Sequence, residues 1–367
     1  MKFTLVSKKR IVALLALIAL SLAGAAANAQ QYRRVNLVSD IAGVALRTDP
    51  HLVNAWGIAF SETSPVWIAN NGTGTSTLYQ GDGTPAPNPA TPLVVTIPGP
   101  SAGSQSAPTG LIFNGTANFV VSANGKSGPA VFIFATEDGT IAGWSPAVDL
   151  HNAVLPVNNS TSGAVYKGLA TGVSAGKSYL YATNFHDGVV EMYDASFHWV
   201  KNFTDTSLPL GYAPFGIQNI KGNLYVTFAL QDDDKHDDVR GAGHGFIDVF
   251  STDGTWLSRF ASQGTLDSPW GIALAAGGFG TASKHLLVGN FGNGRINVFD
   301  FPGGEFVGQL RDTLNAPLSI NGLWGLSFAT GGASGKKNHL LFTAGIGDEG
   351  HGLFGYIKPG EGDDSGE

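Results

Sequence analysis

The chain has 367 residues, of which 43% are hydrophobic and 13% charged, with 51 glycines and no cysteine. This composition supports a large buried core and favours an all-β protein rich in turns. The formal net charge of -7 excludes a nucleic-acid partner, because no basic stripe is present to neutralise phosphates. The absence of cysteine excludes disulfides and thiol chemistry.

The first 29 residues have the pattern of a signal peptide. Lys2, Lys8, Lys9 and Arg10 precede an apolar run from Ile11 to Leu22, and Ala27-Asn28-Ala29 forms a small-residue cleavage site. The apolar run is too short for a stable membrane anchor, and no second one follows. We therefore expect an exported protein, periplasmic or extracellular, with no membrane span after cleavage.

The mature chain repeats one phrase about six times. Its clearest form is Pro269-Trp270-Gly271-Ile272-Ala273, followed by a strand ending at Asn290 and another at residues 295–300. The repeats are about 50–60 residues apart, which indicates stacked supersecondary units. The glycine of the phrase recurs at Gly57, Gly110, Gly168, Gly216, Gly271 and Gly325.

Each unit has the pattern of four short strands joined by tight turns. Asn71-Gly72, Asn124-Gly125, Asp187-Gly188 and Asn293-Gly294 are predicted to join second and third strands, and Asp138-Gly139 and Asp253-Gly254 third and fourth strands. A ring of four-stranded blades satisfies such repeats, because each blade buries its faces on its neighbours.

The two ends of the chain have complementary deficits. The sixth unit lacks a fourth strand, whereas the segment from Tyr32 to Val38 belongs to no unit. We therefore predict a six-bladed β-propeller over residues 30–358, closed by this N-terminal strand in the last blade. Residues 359–367 are expected to be a disordered acidic tail. A β-helix or sandwich is the alternative fold.

The repeated phrase, with Asp234-Lys235-His236-Asp237-Asp238 and Tyr166-Lys167-Gly168, resembles the NHL-like repeats of a family of exported bacterial six-bladed propellers. The resemblance implies the fold but no reaction. Gluconolactonase-type propellers place Asn, Asp and Glu metal ligands before the repeat glycine, and streptogramin-lyase-type propellers use His around the same mouth. Neither set is present before the six glycines here.

The residues that precede the repeat glycines define a first candidate site. They include Trp56, Phe215, Trp270 and Trp324, with Lys167 and Thr109 interrupting the aromatic series. These aromatic residues either form a stacking funnel for a planar ligand or pack between the blades as core. Asn70, Asn124, Asn184 and Asn290 are predicted to end second strands, where asparagine caps turns.

The insertion at residues 231–238 is the second candidate. Asp232, Asp234, His236, Asp237 and Asp238 provide a carboxylate-rich set with one imidazole, which suits Ca²⁺ or another divalent cation. The alternative is a solvated acidic loop. Other links between second and third strands carry His186 and Asp187 in blade three, and Asp348, Glu349 and His351 in blade six.

Strand direction places both candidates on one face, because first strands begin where second strands end. We expect this face to bind an unidentified small molecule, glycan or protein. The alternative function is a divalent-metal-dependent hydrolase or lyase. The predicted ligand face contains Trp56, Lys167, Phe215, Trp270, Trp324, His186, Asp187, Asp348 and His351.

Overall fold

The computed structural model describes residues 30–360, whose regular secondary structure is almost entirely β-strand, joined by turns and loops. The predicted signal peptide and the part of the predicted tail from residue 361 onward lie outside the described residues. The chain begins with β1 (Tyr32–Ser39), followed by the short parallel β2 (Arg47–Thr48). Four single turns of 3-10 helix lie at Asn71–Thr73, Ser160–Ser162, Gly280–Ala282 and Gly332–Ser334.

The first three blades are consecutive along the chain. Blade one consists of β3 (Ala55–Ala59), β4 (Val66–Asn70), β5 (Thr75–Tyr79) and β6 (Val94–Thr96). Blade two consists of β7 (Pro108–Phe113), β10 (Phe132–Thr136), β11 (Thr140–Trp144) and β12 (Val154–Asn158), with the hairpin of β8 (Val120–Ala123) and β9 (Lys126–Pro129) inserted. Blade three consists of β13 (Tyr166–Ser174), β14 (Lys177–Asn184), β15 (Val189–Asp194) and β16 (Trp199–Phe203).

The remaining blades complete the ring. Blade four consists of β17 (Tyr212–Ile220), β18 (Asn223–Leu230), β19 (Phe246–Ser251) and β20 (Trp256–Ser262). Blade five consists of β21 (Pro269–Leu274), β22 (Leu286–Asn290), β23 (Ile296–Phe299) and β24 (Phe306–Gln309). Blade six contains β25 (Leu323–Phe328), β26 (Leu340–Ile346) and β27 (His351–Pro359), and β1 is its fourth strand.

This arrangement confirms the predicted six-bladed propeller and its closure. β1 runs antiparallel to β27, with Tyr32 opposite Pro359 and Ser39 opposite Leu353. The hydrophobic cores lie between neighbouring blades: one contains Leu287 of blade five with Phe342 of blade six. No helix in residues 30–360 is long and apolar enough to cross a membrane.

Blade two differs from the sequence prediction. Asn124-Gly125 is the turn of the inserted β8–β9 hairpin, so Asn124 does not end a second strand, contrary to the prediction. Asp138-Gly139 joins β10 to β11, the second and third strands, rather than the third and fourth. The inserted hairpin has the same alternation and turn chemistry as a blade hairpin, and only its pairing distinguishes them.

The repeat glycines bring the six first strands together at the centre. In each blade the pairing of first and second strand shifts register beside this glycine, for example between Ala55 and Ile58. We call Gly57, Gly110, Gly168, Gly216, Gly271 and Gly325 the glycine ring. At each one an added Cβ would lie closer than 3.0 Å to atoms of the next blade's first strand. The φ angles of these glycines are negative, which any residue can adopt, so backbone conformation does not require glycine here. The close approach of the next blade does.

Threonine hydroxyls of the second strands hydrogen-bond the backbone at the β-bulges, which are the register shifts beside the repeat glycines. Thr227 Oγ1 accepts a hydrogen bond from the N–H of Gly216 at 2.8 Å, and Thr343 does the same for Gly325 at 2.9 Å. Thr343 also donates to the carbonyl of Trp56, which links blade six to blade one. A buried backbone donor that the bulge leaves without a ladder partner is thus satisfied.

We expect Gly325→Ala to destabilise the fold by about 1–3 kcal/mol or more, because the new methyl group would lie 2.8 Å from the Trp56 carbonyl oxygen. Gly308→Ala is the matched control: it lies in β24 with no atom within 4 Å of the added Cβ. Urea denaturation of both variants measures the difference. Equal stabilities would contradict the role assigned to the glycine ring.

Candidate functional site

The face where first strands begin and second strands end, here called the upper face, carries the candidate residues. Ala55 pairs with Asn70, and Pro269 pairs with Asn290, so the residues before the repeat glycines lie beside the second-to-third links. Asn184 Nδ2 donates to Asp187 Oδ2 at 2.9 Å, and Asn290 Nδ2 to Asn293 Oδ1 at 3.2 Å. The backbone N–H of Asp187 also donates to Asn184 Oδ1 at 3.2 Å, which bears out the turn-capping interpretation at Asn184. The side chain of Asn290 bonds the Asn293 side chain and the Thr265 carbonyl rather than the backbone of its own turn.

The predicted aromatic residues meet at the centre of this face. Trp56 stacks on Trp324 with ring centroids 3.6 Å apart, and Phe291 stacks on the other side of Trp324 at 3.8 Å. Trp56, Phe215 and Trp324 are at most 1% exposed, whereas Trp270 is partly exposed. We call this group the aromatic floor, and it consists of Trp56, Phe185, Phe215, Trp270, Phe291 and Trp324. It is packed core rather than an open funnel.

A buried lysine lies at the centre of the site. The side chain of Lys167 is only 1% exposed, and its Nζ lies 5.3 Å from the ring centroid of Trp56 and 5.8 Å from that of Phe185. Nζ donates to Glu137 Oε1 and, at 3.1 Å, to Asp237 Oδ1. Burial disfavours the charged ammonium, but the two carboxylates outweigh it and raise the pKa of Lys167. The ammonium therefore stays charged.

Glu137 is a site residue that the sequence analysis missed. It lies in the link between β10 and β11, for which the turn pattern of the sequence predicts a third-to-fourth connection. Its Oε2 accepts a hydrogen bond from Asn71 Nδ2 at 2.7 Å, so blades one, two, three and four meet around Lys167. Recognising the β8–β9 insertion would have placed Glu137 among the second-to-third links.

The acidic loop contributes only part of its predicted metal set. His236 Nδ1 lies 3.1 Å from Asp237 Oδ1, and the two side chains are 48% and 67% exposed. This hydrogen bond raises the pKa of His236 and lowers that of Asp237. We call Glu137, Lys167, His236 and Asp237 the lysine cluster.

The other three predicted ligands do not join the lysine cluster. Asp232 Oδ1 accepts from the backbone N–H of His236 at 2.9 Å and so holds its own loop together. Asp234 is exposed. Burial raises the pKa of Asp238, and its Oδ2 has no hydrogen-bond partner among the described residues.

The remaining predicted residues lie around the rim. His186 Nδ1 bonds Asp187 Oδ1 at 2.9 Å, and Asp348 pairs with Arg240 at 3.6 Å. His351 pairs with Asp40 at 2.6 Å, and Asp40 directly follows the end of β1. His351 is therefore tied to the outer side of blade six.

A second polar network joins blade six to the centre. Asn54 Nδ2 donates to Glu349 Oε2 at 2.8 Å, and Asn54 Oδ1 accepts from Trp324 Nε1 at 3.1 Å. Burial, together with the charges of Glu137 and Asp237, raises the pKa of Glu349 to about 7, although Asn54 and Lys167 oppose this. Glu349 can therefore exchange a proton near neutral pH.

This raised pKa predicts a pH-dependent loss of stability. Folding favours protonated Glu349, so its contribution is fully present below its ordinary pKa of 4.5 and is lost as pH rises to about 7. Glu349→Gln removes this titration and keeps an acceptor for Asn54. We expect the difference in free energy of unfolding between this variant and the parent to rise by about 3 kcal/mol in favour of the variant from pH 4 to pH 8, at about 1.4 kcal/mol per pKa unit. Denaturation at both pH values measures it, and a pH-independent difference would contradict it.

Three side chains of this site have the spacing of a metal site. Single ligand atoms of Glu137, His236 and Asp237 all lie within 4.8 Å of one another. Nitrogen and oxygen ligands of this kind suit Zn²⁺ and, less well, Ca²⁺. The Lys167 ammonium, however, already bonds both carboxylates, so a metal ion would have to compete with it.

Comparison with curated proteins finds relatives in Acanthamoeba polyphaga mimivirus. Uncharacterized protein R648 is 33% identical over 328 residues, which cover 88% of this chain and 78% of the viral protein. Uncharacterized protein L690 is 32% identical over 301 residues, covering 79% and 77%. The chain belongs to the family of these viral proteins. These relatives are viral, not the bacterial proteins that the sequence resemblance implied.

No family model matches the sequence, so the likeness to NHL repeats stays a prediction. Among solved structures, virginiamycin B lyase from Staphylococcus aureus with quinupristin has a TM-score of 0.53 at 13% identity, over 90% of this chain and 99% of the lyase chain. The soluble aldose sugar dehydrogenase of Escherichia coli has a TM-score of 0.51 at 11% identity, over 90% and 100%. At such identities these structures support the propeller fold alone.

Proposed function

We propose that this protein is a binding module whose upper face takes a small molecule carrying a positive charge. The observation that carries the proposal is the lysine cluster, in which blades two, three and four place ionisable groups above a packed aromatic centre. Burying charges is costly, and well-packed apolar residues in place of a buried ion pair often give equal stability, so a buried pair such as Lys167 and Glu137 is not explained by stability alone. Such clusters concentrate at functional sites.

The charges of the face favour a cationic ligand. Exposed carboxylates of Asp187, Asp237 and Asp348 surround the centre, and Trp270 is the partly exposed member of the aromatic floor. Carboxylates together with an aromatic face are what recognises an organic ammonium group. The lysine cluster shows the same chemistry internally, because Lys167 lies between carboxylates and aromatic rings.

A divalent-metal-dependent hydrolase or lyase is the second candidate, favoured by the spacing of Glu137, His236 and Asp237. The lyase and dehydrogenase activities named above belong to those proteins and do not decide the reaction here. In this alternative Ca²⁺ or another divalent cation displaces Lys167 from its carboxylates. Export to the periplasm or the extracellular space remains part of both proposals.

Thermal denaturation with separate probes distinguishes the two candidates. We expect putrescine and choline to raise the Tm of the mature protein by mass action, whereas CaCl₂, MnCl₂ and ZnCl₂ at equal ionic strength leave it unchanged. Asp237→Asn should remove the shift. Asp233→Asn, an exposed change in the same loop, is the matched control.

Two other results would contradict the binding proposal. A shift produced by a divalent cation, and lost in Glu137→Gln, would favour the metal-dependent alternative. A Tm shift with putrescine or choline that persists in Asp237→Asn, or no Tm shift with any probe, would mean that the charges of the upper face have a structural role rather than a role in binding.

A further inference from the structure

We propose that the connection between β26 and β27, residues 347–350, is a strap that closes the upper face and swings away to admit a ligand. The inference rests on the proposed function, because it concerns access to that same site. Its test, however, needs no ligand.

The first observation is that the centre of the site is closed. Trp56 and Trp324 are each 1% exposed, and the side chain of Lys167 is also 1% exposed. No ligand can contact these groups in the conformation described. Trp270 is the partly exposed member of the aromatic floor, so the groups that cover Trp56, Trp324 and Lys167 have to move before these three take part in binding.

The second observation is that the strap reaches across the face. Asp348 pairs with Arg240 of the blade-four loop at 3.6 Å, and the Arg240 guanidinium lies 4.5 Å from the ring centroid of Phe291 in blade five. A segment of blade six is thereby fastened to blade four above blade five. Asp348 is 91% exposed, so this ion pair is screened by salt and easily broken.

The third observation is a direct connection from the strap to the aromatic floor. Glu349 accepts a hydrogen bond from Asn54, and Asn54 in turn accepts one from the indole N–H of Trp324. Asn54 itself has a positive φ of 46°. Movement of Glu349 therefore removes one of the contacts that hold Asn54 over the floor.

The fourth observation is local backbone strain. Gly347, Asp348 and Glu349 have consecutive φ angles of 65°, 51° and 64°. The left-handed region suits glycine and is unfavourable for the other two residues. Strain of this kind persists only where surrounding contacts enforce it. Releasing the contacts of Asp348 and Glu349 thus lets the strap relax away from the face.

The absence of cysteine gives a direct test, because any introduced thiol is unique. Ala213→Cys places a thiol in the core around the aromatic floor, where Ala213 is fully buried. Ala142→Cys places one in the core between blades one and two, where it reports general opening of the fold. The rate of modification by N-ethylmaleimide is measured for each.

Combining each reporter with Glu349→Gly removes the carboxylate that holds Asn54 and relieves the strain. We expect at least tenfold faster modification of Ala213→Cys and no change for Ala142→Cys. Asp348→Asn breaks the ion pair but keeps a residue that tolerates the left-handed region, so it should give a smaller increase, about threefold. This conservative change also keeps the test usable if Glu349→Gly folds poorly.

Equal acceleration at both reporters would mean general destabilisation and would overturn the strap. Unchanged modification of Ala213→Cys in both strap variants would overturn it as well. If the strap opens as expected but putrescine and choline still produce no Tm shift, the proposed ligand class fails while the strap stands.

Discussion

Deleting residues 1–39 is expected to abolish cooperative folding, whereas deleting only residues 1–29 leaves it intact. β1 supplies the fourth strand of blade six and buries Tyr32, Leu37 and Val38, each at most 2% exposed. Burying such side chains contributes about 1.5–3 kcal/mol each. Tyr32 also donates to the Phe279 carbonyl at 3.0 Å, across to blade five. The total approaches the 5–15 kcal/mol that stabilises a typical domain.

Circular dichroism during thermal denaturation measures both truncations. A synthetic peptide of residues 30–39 added to the shorter protein should restore part of the transition, because it can pair with the free edge of β27. If the shorter protein melts as cooperatively as the longer one and at the same temperature, the ring does not depend on β1.

Lys167→Met is expected to destabilise the protein by about 3–5 kcal/mol, the usual effect of removing one partner from a buried ion pair. The Glu137 carboxylate is only 12% exposed and would be left with Asn71 as a neutral partner. Asp237, at 67% exposed, remains solvated and adds little. Asp237→Asn should therefore cost no more than about 1 kcal/mol.

Adding Glu137→Gln to Lys167→Met provides the control. The double variant should recover much of the lost stability, because neither a buried charge nor an unpaired acceptor remains. Urea denaturation of the parent, Lys167→Met, Glu137→Gln and the double variant gives the coupling free energy between Lys167 and Glu137. Additive effects would mean that the contact of Lys167 with Glu137 contributes nothing to stability.

Local patterns in the chain predicted the blades well but failed at blade two. Asn293-Gly294 and Asp253-Gly254 were placed correctly because each turn follows a strand of its own unit. Asn124-Gly125 has the same turn chemistry, yet it closes an inserted hairpin. Hairpin formation is local, whereas membership of a blade depends on which edge the hairpin pairs with.

The candidate site was predicted only in outline. Strand direction placed Lys167, His236 and Asp237 on one face, and the structure brings them into contact. Glu137 was missed through the error in blade two. The sequence left two alternatives for Trp56 and Trp324, a ligand funnel or packed core. Their stacking against each other shows that they are core, and a contact between two repeats cannot be read from either repeat alone.

The sequence by itself determined six four-stranded blades and a ring closed by the N-terminal strand, because turn residues and alternating apolar positions act over short distances. The tertiary structure alone decided which charges meet. Glu137, Lys167 and Asp237 belong to three different blades, and Glu349 and Asn54 to two others. Their protonation depends on burial and on neighbours distant in sequence, so the chemistry of the site exists only once the ring has closed.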